Sequence, residues 1–224
     1  MLEVLIGQLG SAGGPVLVAL VAVSVAAMAV TIFKVAQFRR MGVGRLRAAR
    51  RSVAMWVAGE RARAIDEAGK DVTPVSAAVL SAMRSLARHP GDRHMAQELA
   101  TQTALDQIAA MSRHLRLLEA VVQAAPMLGL LGTVIGMISA FGALSAAGGA
   151  VDPSALATGI WAALLTTAMG LAVAIPFYFV WTWLESRVDE ERATMEAAIG
   201  AVLYAQADAE PAQGDAAMAR PAGI

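Results

Sequence analysis

From Ala120 to Val151 the chain contains no Asp, Glu, Lys, Arg or His, and after one acid at Asp152 the same is true from Pro153 to Leu184. These two runs constrain the fold more than any other feature. A hydrocarbon core of about 30 Å is crossed by about 20 apolar helical residues. Within it, backbone amides must be satisfied inside the protein, which a helix does by itself. At about 1.5 Å per residue each run would be about 48 Å long. Either both helices tilt strongly or, as fits better, both continue past the membrane. A further run from Pro15 to Val35 is uncharged until Lys34, whose stem can snorkel to the headgroups. The expected fold is an all-α membrane protein with three transmembrane helices, two of them extended into a cytoplasmic helical bundle.

The second run is unusual in its centre, Ala125-Pro126-Met127-Leu128-Gly129-Leu130-Leu131-Gly132-Thr133-Val134-Ile135-Gly136-Met137. Gly132, Gly136 and Ala140 recur every four residues. In lipid, where packing holds helices together, small residues let backbones approach closely. Gly129 adds to this surface, and Thr133 is the one polar side chain in the stretch. The third run answers with Gly159, Ala163, Thr166, Gly170 and Ala174 on one small-residue face, bordered by Thr167. The small positions of both runs are expected to pack against a partner's helix. Pro126 and Pro176 each remove a backbone donor, freeing the carbonyls of Val122 and Ala172 and marking candidate helix kinks.

Charge sets the orientation. The opening residues carry only Glu3, and the first basic residue follows the apolar run, which is not the order of a secretory signal. Arg39, Arg40, Arg45, Arg47, Arg50 and Arg51 then crowd the end of the first span. Such a cluster marks the cytoplasmic side and can meet anionic lipid. The N-terminus is therefore expected in the periplasm and the C-terminus in the cytoplasm. The cluster has no interleaved aromatics and the net charge is zero, so nucleic acid is not an expected partner. There is no cysteine and hence no disulfide framework.

The segments follow in order: 1–13 periplasmic, 14–36 first span, 37–119 cytoplasmic helices, 120–145 second span, 146–152 periplasmic loop, 153–184 third span, 185–204 cytoplasmic helix, and 205–224 a disordered tail. Within the polar region, Val53 to Ala68 and Pro74 to Arg88 read as helices. Thr73 is placed to cap the second of them, with Pro74 at its first position. His89-Pro90-Gly91-Asp92 is a turn. From Met95 to Leu118 the helical spacing meets no breaker, so one helix is expected to run from the cytoplasm into the second span. Asp152 and Pro153 are placed to start the third span.

Chemistry is limited by what the spans lack. His89, His94 and His114 flank a turn or lie far along a helix, so no metal site is expected. No nucleophile–base pair, carboxylate pair or phosphate loop lies at membrane depth, which argues against an intramembrane transferase or protease and against a cofactor. Threonines in membrane helices usually bond their own preceding turn or join two helices. Alternatively Thr133, Thr166 and Thr167 form a thin polar track for protons. Proton relays in membranes use ionisable side chains, and none stands in the middle of any span. If the protein conducts protons, another subunit must bring the titrating group.

The pairing of Ala125-Pro126-x-x-Gly129-Leu130-Leu131-Gly132-Thr133-Val134-x-Gly136-Met137-x-x-x-Phe141 with Gly159-Ile160-x-x-Ala163-Leu164-x-Thr166-Thr167-Ala168-x-Gly170-Leu171-x-x-Ala174-Ile175-Pro176 resembles the MotA/TolQ/ExbB proton-channel family, most closely its ExbB/TolQ branch. The resemblance covers roughly residues 115–185. It implies a homo-pentamer in the bacterial inner membrane around a dimeric ExbD- or TolR-like one-span partner whose membrane aspartate carries the proton. It implies that the resulting motion reaches a TonB- or TolA-like protein. On this likeness the pore threonines fall on Thr133 and Thr167. The function implied is an ExbB-ExbD-TonB-type subunit driving transport across the outer membrane. A TolQ-type subunit for envelope maintenance and a non-conducting scaffold are the alternatives. The chain departs from the family pattern in two places: Ala162 stands where a glutamate is common, and Trp181-Thr182 replaces Tyr-Asn after the Ile-Pro.

Overall fold

The computed structural model describes residues 14–146 and 153–209. All regular structure among them is helical. The helices are α1 (Gly14–Met41), α2 (Arg47–Val57), α3 (Arg61–Lys70), α4 (Pro74–Arg88), α5 (Arg93–Ser112), α6 (Leu115–Ala146) and α7 (Pro153–Ala209). Three stretches of helix among the described residues are long and apolar enough to cross a membrane: Gly14–Met41 (α1), Arg93–Ser145 (through α5 and α6) and Leu156–Ala205 (within α7). The segment 1–13, most of the loop at 146–152, the cap at Asp152 and the tail from 210 lie outside the described residues.

The chain divides into two compact units. The first comprises residues up to Val35 and His114–Leu184. Val16 and Leu20 of α1 pack there against Ala125 of α6 and Ala174 of α7, with Leu128, Ile135, Met169 and Val173 around them. A cluster with two alanines at its centre reflects a sequence that brings backbones together instead of stacking large side chains. Lys34 is fully buried, not extended along the surface, so the expected snorkelling does not describe it.

The second unit comprises Ala36–Arg113 and the residues from Glu185 on. In it α2 packs on α3, α3 on α4, and α4 on α5. Its buried residues include Ala64, Ala68, Ala78, Ala82, Ala96 and Ala100, together with Met83, Leu86, Met111 and Met195. Trp56 of α2 is buried and donates from Nε1 to the carbonyl of Val202 on α7 at 3.2 Å. The caps are chemical. Thr73 Oγ1 accepts from Ser76 N at 3.4 Å at the start of α4, while Thr73 and Ser76 hydroxyls both donate to Asp71 Oδ2 at 2.7 Å. Asp92 Oδ1 accepts from Met95 N at 2.9 Å at the start of α5. Asp92→Ala is expected to lower the stability of this unit by about 0.5–2 kcal/mol, read by chemical denaturation of the full chain.

Two expected helices are broken. Val53 to Ala68 is two helices, because Gly59 adopts φ +85° and the chain turns at Ala58-Gly59-Glu60. The expected continuous helix from the cytoplasm into the second span stops at Ser112 and restarts at Leu115. There His114 takes φ +68°, a left-handed conformation that costs a non-glycine residue about 1–2 kcal/mol. Its ring lies edge-on to Phe33, with centroids 5.8 Å apart. By contrast, the third span and the cytoplasmic helix after it are one element, and α7 runs on to Ala209.

Candidate functional site

The site is built on a seam between α6 and α7 in the first unit. The seam is close enough that its glycines have no room for a side chain. A Cβ placed on Gly132 would stand 2.5 Å from Thr166 Oγ1, and one on Gly170 would stand 2.6 Å from the carbonyl oxygen of Ala125. On Gly129 it would be 2.9 Å from the carbonyl oxygen of Thr166, on Gly136 2.9 Å from Ala163 Cβ, and on Gly159 2.6 Å from Ala140 Cβ. Real Cβ atoms essentially never come within 3.0 Å of such atoms.

The small residues therefore meet one another inside one chain. Gly129, Gly132, Gly136 and Ala140 face Gly170, Thr166, Ala163 and Gly159, and Ala174 lies against Ala125 and the first helix. In the single chain, the faces expected to receive a partner's helix are occupied by the chain's own helices. Sequence spacing identified the small faces but not their occupant, because close helix approach looks the same in sequence within one chain and between two.

The three threonines divide between two places. Thr166 is buried, and its hydroxyl lies 2.7 Å from the carbonyl of Ala163 and 3.1 Å from that of Gly129. Thr167 Oγ1 donates to the same Gly129 carbonyl at 3.1 Å. That carbonyl, which no motif announces, is the polar centre of the seam. Thr133 does not join it. Its hydroxyl donates to Leu130 O of its own helix at 2.7 Å. It lines a shallow groove of about 530 Å³ with Val134, Met137, Ile138 and Phe141. A threonine hydroxyl has one proton to donate and two lone pairs. With the proton committed to Leu130, Thr133 can offer the groove only an acceptor. In that state it can receive a hydrogen bond from water or from a protonated acid.

Pro126 and Pro176 lie inside helices that continue through them. Ala162, beside the seam residue Ala163, is half-buried.

Comparison with known proteins identifies the family. The model of the MotA/TolQ/ExbB proton channel family matches residues 71–197. An ExbB homologue of Methanothermobacter thermautotrophicus, named for biopolymer transport, is 37% identical over 133 residues, 59% of this chain and 46% of that protein. The biopolymer transport protein exbB1 of Vibrio cholerae is 38% identical over 91 residues, 41% of this chain and 40% of its own. The biopolymer transport protein ExbB of Aquifex aeolicus is 34% identical over 90 residues, 40% of this chain and 60% of its own. The chain thus spans about half the length of the curated relatives it matches. With three helices able to cross a bilayer and a family match over more than half of its residues, the chain is a multi-pass membrane protein and belongs to the MotA/TolQ/ExbB proton channel family, to which it brings an ExbB-like sequence.

Proposed function

We propose that the chain is the proton-channel subunit of an inner-membrane energy-transducing complex of the ExbB-ExbD-TonB type. One observation carries this reading: hydroxyls stand in spans that contain no titratable side chain at mid-membrane. Intramembrane proton transfer runs through ionisable groups. The missing group is an acid on the transmembrane helix of a one-span partner. That helix docks in the open groove beside Thr133, since the α6–α7 seam is closed by the chain itself. The apolar stripe of Leu130, Val134, Ile138 and Phe141 on α6, exposed in the single chain, gives it a surface.

The partner's protonated carboxyl donates to Thr133, whose hydroxyl can only accept. Thr166 and Thr167 hold the wall behind it through the Gly129 carbonyl. Arg39, Arg40, Arg45 and Arg47, exposed around the end of α1, support a cytoplasmic side for that end under the positive-inside rule. Copies of the chain form a pentamer around the partner, and the proton-driven motion passes to a TonB-like protein. Pro126 and Pro176 supply kinks that let the wall adjust.

Reconstituted alone, the chain is expected to leave vesicles proton-tight. Co-reconstituted with a one-span partner bearing a membrane aspartate, it is expected to collapse an imposed pH gradient, and changing that aspartate to asparagine should restore tightness. Equal conduction by the chain alone would contradict the proposal, because no ionisable side chain stands in the middle of its own spans.

A further inference from the structure

Glu191 of α7 is a buried acid that the channel reading does not use. The residue is 4% exposed and belongs to the second unit. Its Oε1 accepts a hydrogen bond from the backbone N–H of Gly44, and its Oε2 is buried with no hydrogen-bond partner. Gly44 lies in the turn that follows α1. Gly42 and Gly44 both take left-handed conformations, at φ +68° and +86°. Three backbone bonds close the turn: Gly42 N to Arg39 O at 3.3 Å, Val43 N to Phe38 O at 3.1 Å and Arg45 N to Gly42 O at 2.9 Å. A Cβ on Gly42 would touch Thr73 Cγ2 at 3.0 Å, so the turn also rests on the cap of α4.

An anionic carboxylate taken out of water is costly unless its lone pairs are satisfied. Here one of the two carboxylate oxygens has no partner. A proton on Oε2 removes the charge at the atom that has no partner. The surroundings agree in direction: burial pushes the Glu191 carboxyl above the ordinary glutamate value of 4.5, the Gly44 N–H acts against it, Glu190 adds to it and Arg187 opposes it. Arg187 is itself bonded to Glu190 at 2.8 Å. From the turn and its flanking helices, Arg39, Arg40, Arg45 and Arg47 are exposed, and none of them ion-pairs with Glu191.

We propose that Glu191 is a proton-binding latch: with a proton on Oε2 its carboxyl stays buried and holds the Gly44 amide, and on giving that proton to water it becomes hydrated and frees the Phe38–Arg45 turn. The sign follows from linkage. The closed form binds the proton more tightly than the open form, so closure is favoured at low pH and is lost as pH rises from 4.5 through the raised value. This latch stands independently of the channel reading.

The test uses the full-length chain in detergent. The sequence has no cysteine, so Val43→Cys is a unique thiol on the turn. Infrared spectra are expected to show a neutral carboxyl band that fades as pH rises and is absent in Glu191→Gln. Over the same range, maleimide labelling of V43C should accelerate relative to V43C/E191Q, the ratio cancelling the thiol's own titration. A coupling of one pKa unit gives about a tenfold change in that ratio. If no neutral carboxyl band assignable to Glu191 is found, the residue is charged in place and the proposal is overturned. If the band titrates while the labelling ratio stays flat, the proton is bound but does not latch the turn, which also overturns it. The infrared titration needs no variant of the turn, so a misfolded V43C would not shield the proposal.

Discussion

Gly132→Ala weakens the membrane unit, whereas Gly142→Ala leaves it unchanged or slightly strengthened. Both changes add one methyl group to the same helix, and both gain up to about 1 kcal/mol of helix propensity. They differ in what the methyl meets. At Gly142 nothing lies within 4 Å. At Gly132 it meets Thr166 Oγ1 at 2.5 Å, Thr166 Cβ at 2.7 Å and Thr166 Cγ2 at 3.0 Å. Thr166 cannot yield cheaply, because turning its side chain breaks the hydroxyl's bonds to Ala163 and Gly129.

The remaining escape is to part the helices, which loosens the whole seam. Overpacking of this kind costs about 1–3 kcal/mol, more than the propensity gain. Denaturation in mixed micelles, followed by tryptophan fluorescence, should separate the two variants by about 2 kcal/mol. Thr166→Ala removes two of the three clashing atoms, so G132A/T166A should cost less than the sum of the single changes. Equal stability of G132A and G142A would mean that α6 and α7 do not meet at Gly132.

Trp56→Ala is the most damaging single change expected in the second unit. The side chain is 3% exposed, its Nε1 bonds Val202 O at 3.2 Å, and the Arg61 guanidinium lies 5.5 Å from the ring centre. Truncation of a buried tryptophan costs about 3–5 kcal/mol. Trp56→Phe keeps most of the packing and loses the hydrogen bond, worth about 0.5–1.5 kcal/mol. Urea denaturation and limited proteolysis of the cytoplasmic helices should rank the chains wild type, W56F, W56A. A loss below about 1 kcal/mol for W56A would place the indole outside the core.

What the sequence made legible and what it hid follow from the range of the interactions. The three spans were legible because absence of charge over a membrane thickness has one cheap structural solution. The helix Pro74–Arg88 with its Thr73 cap was legible because a cap is set by residues three apart. The break at Arg113-His114 was not, since a histidine in a left-handed conformation carries no local signature and is held by distant packing. The turn at Gly59 was missed because a lone glycine inside an alanine-rich helical pattern is tolerated as often as it terminates. The burial of Lys34 and the pairing of Glu191 with Gly44, 147 positions apart, depend on tertiary contacts that no spacing rule reads. At the site, the glycine and alanine faces were visible, while their mutual occupation and the Gly129 carbonyl at their centre came only with the structure.

The most direct measurement of the central claim is proton flux through vesicles holding the chain and its one-span partner, compared between wild type and Thr133→Val/Thr167→Val. Valine keeps the shape of threonine. At Thr133 it removes only a bond within one helix turn. At Thr167 it removes one of two hydroxyl contacts to Gly129, leaving that of Thr166. A bond of this type between membrane helices is worth about 0.6 kcal/mol on average, so the complex should still assemble. The expected result is flux at the level of vesicles lacking the partner, with the partner still co-purifying. Wild-type flux in the assembled double variant would contradict the account.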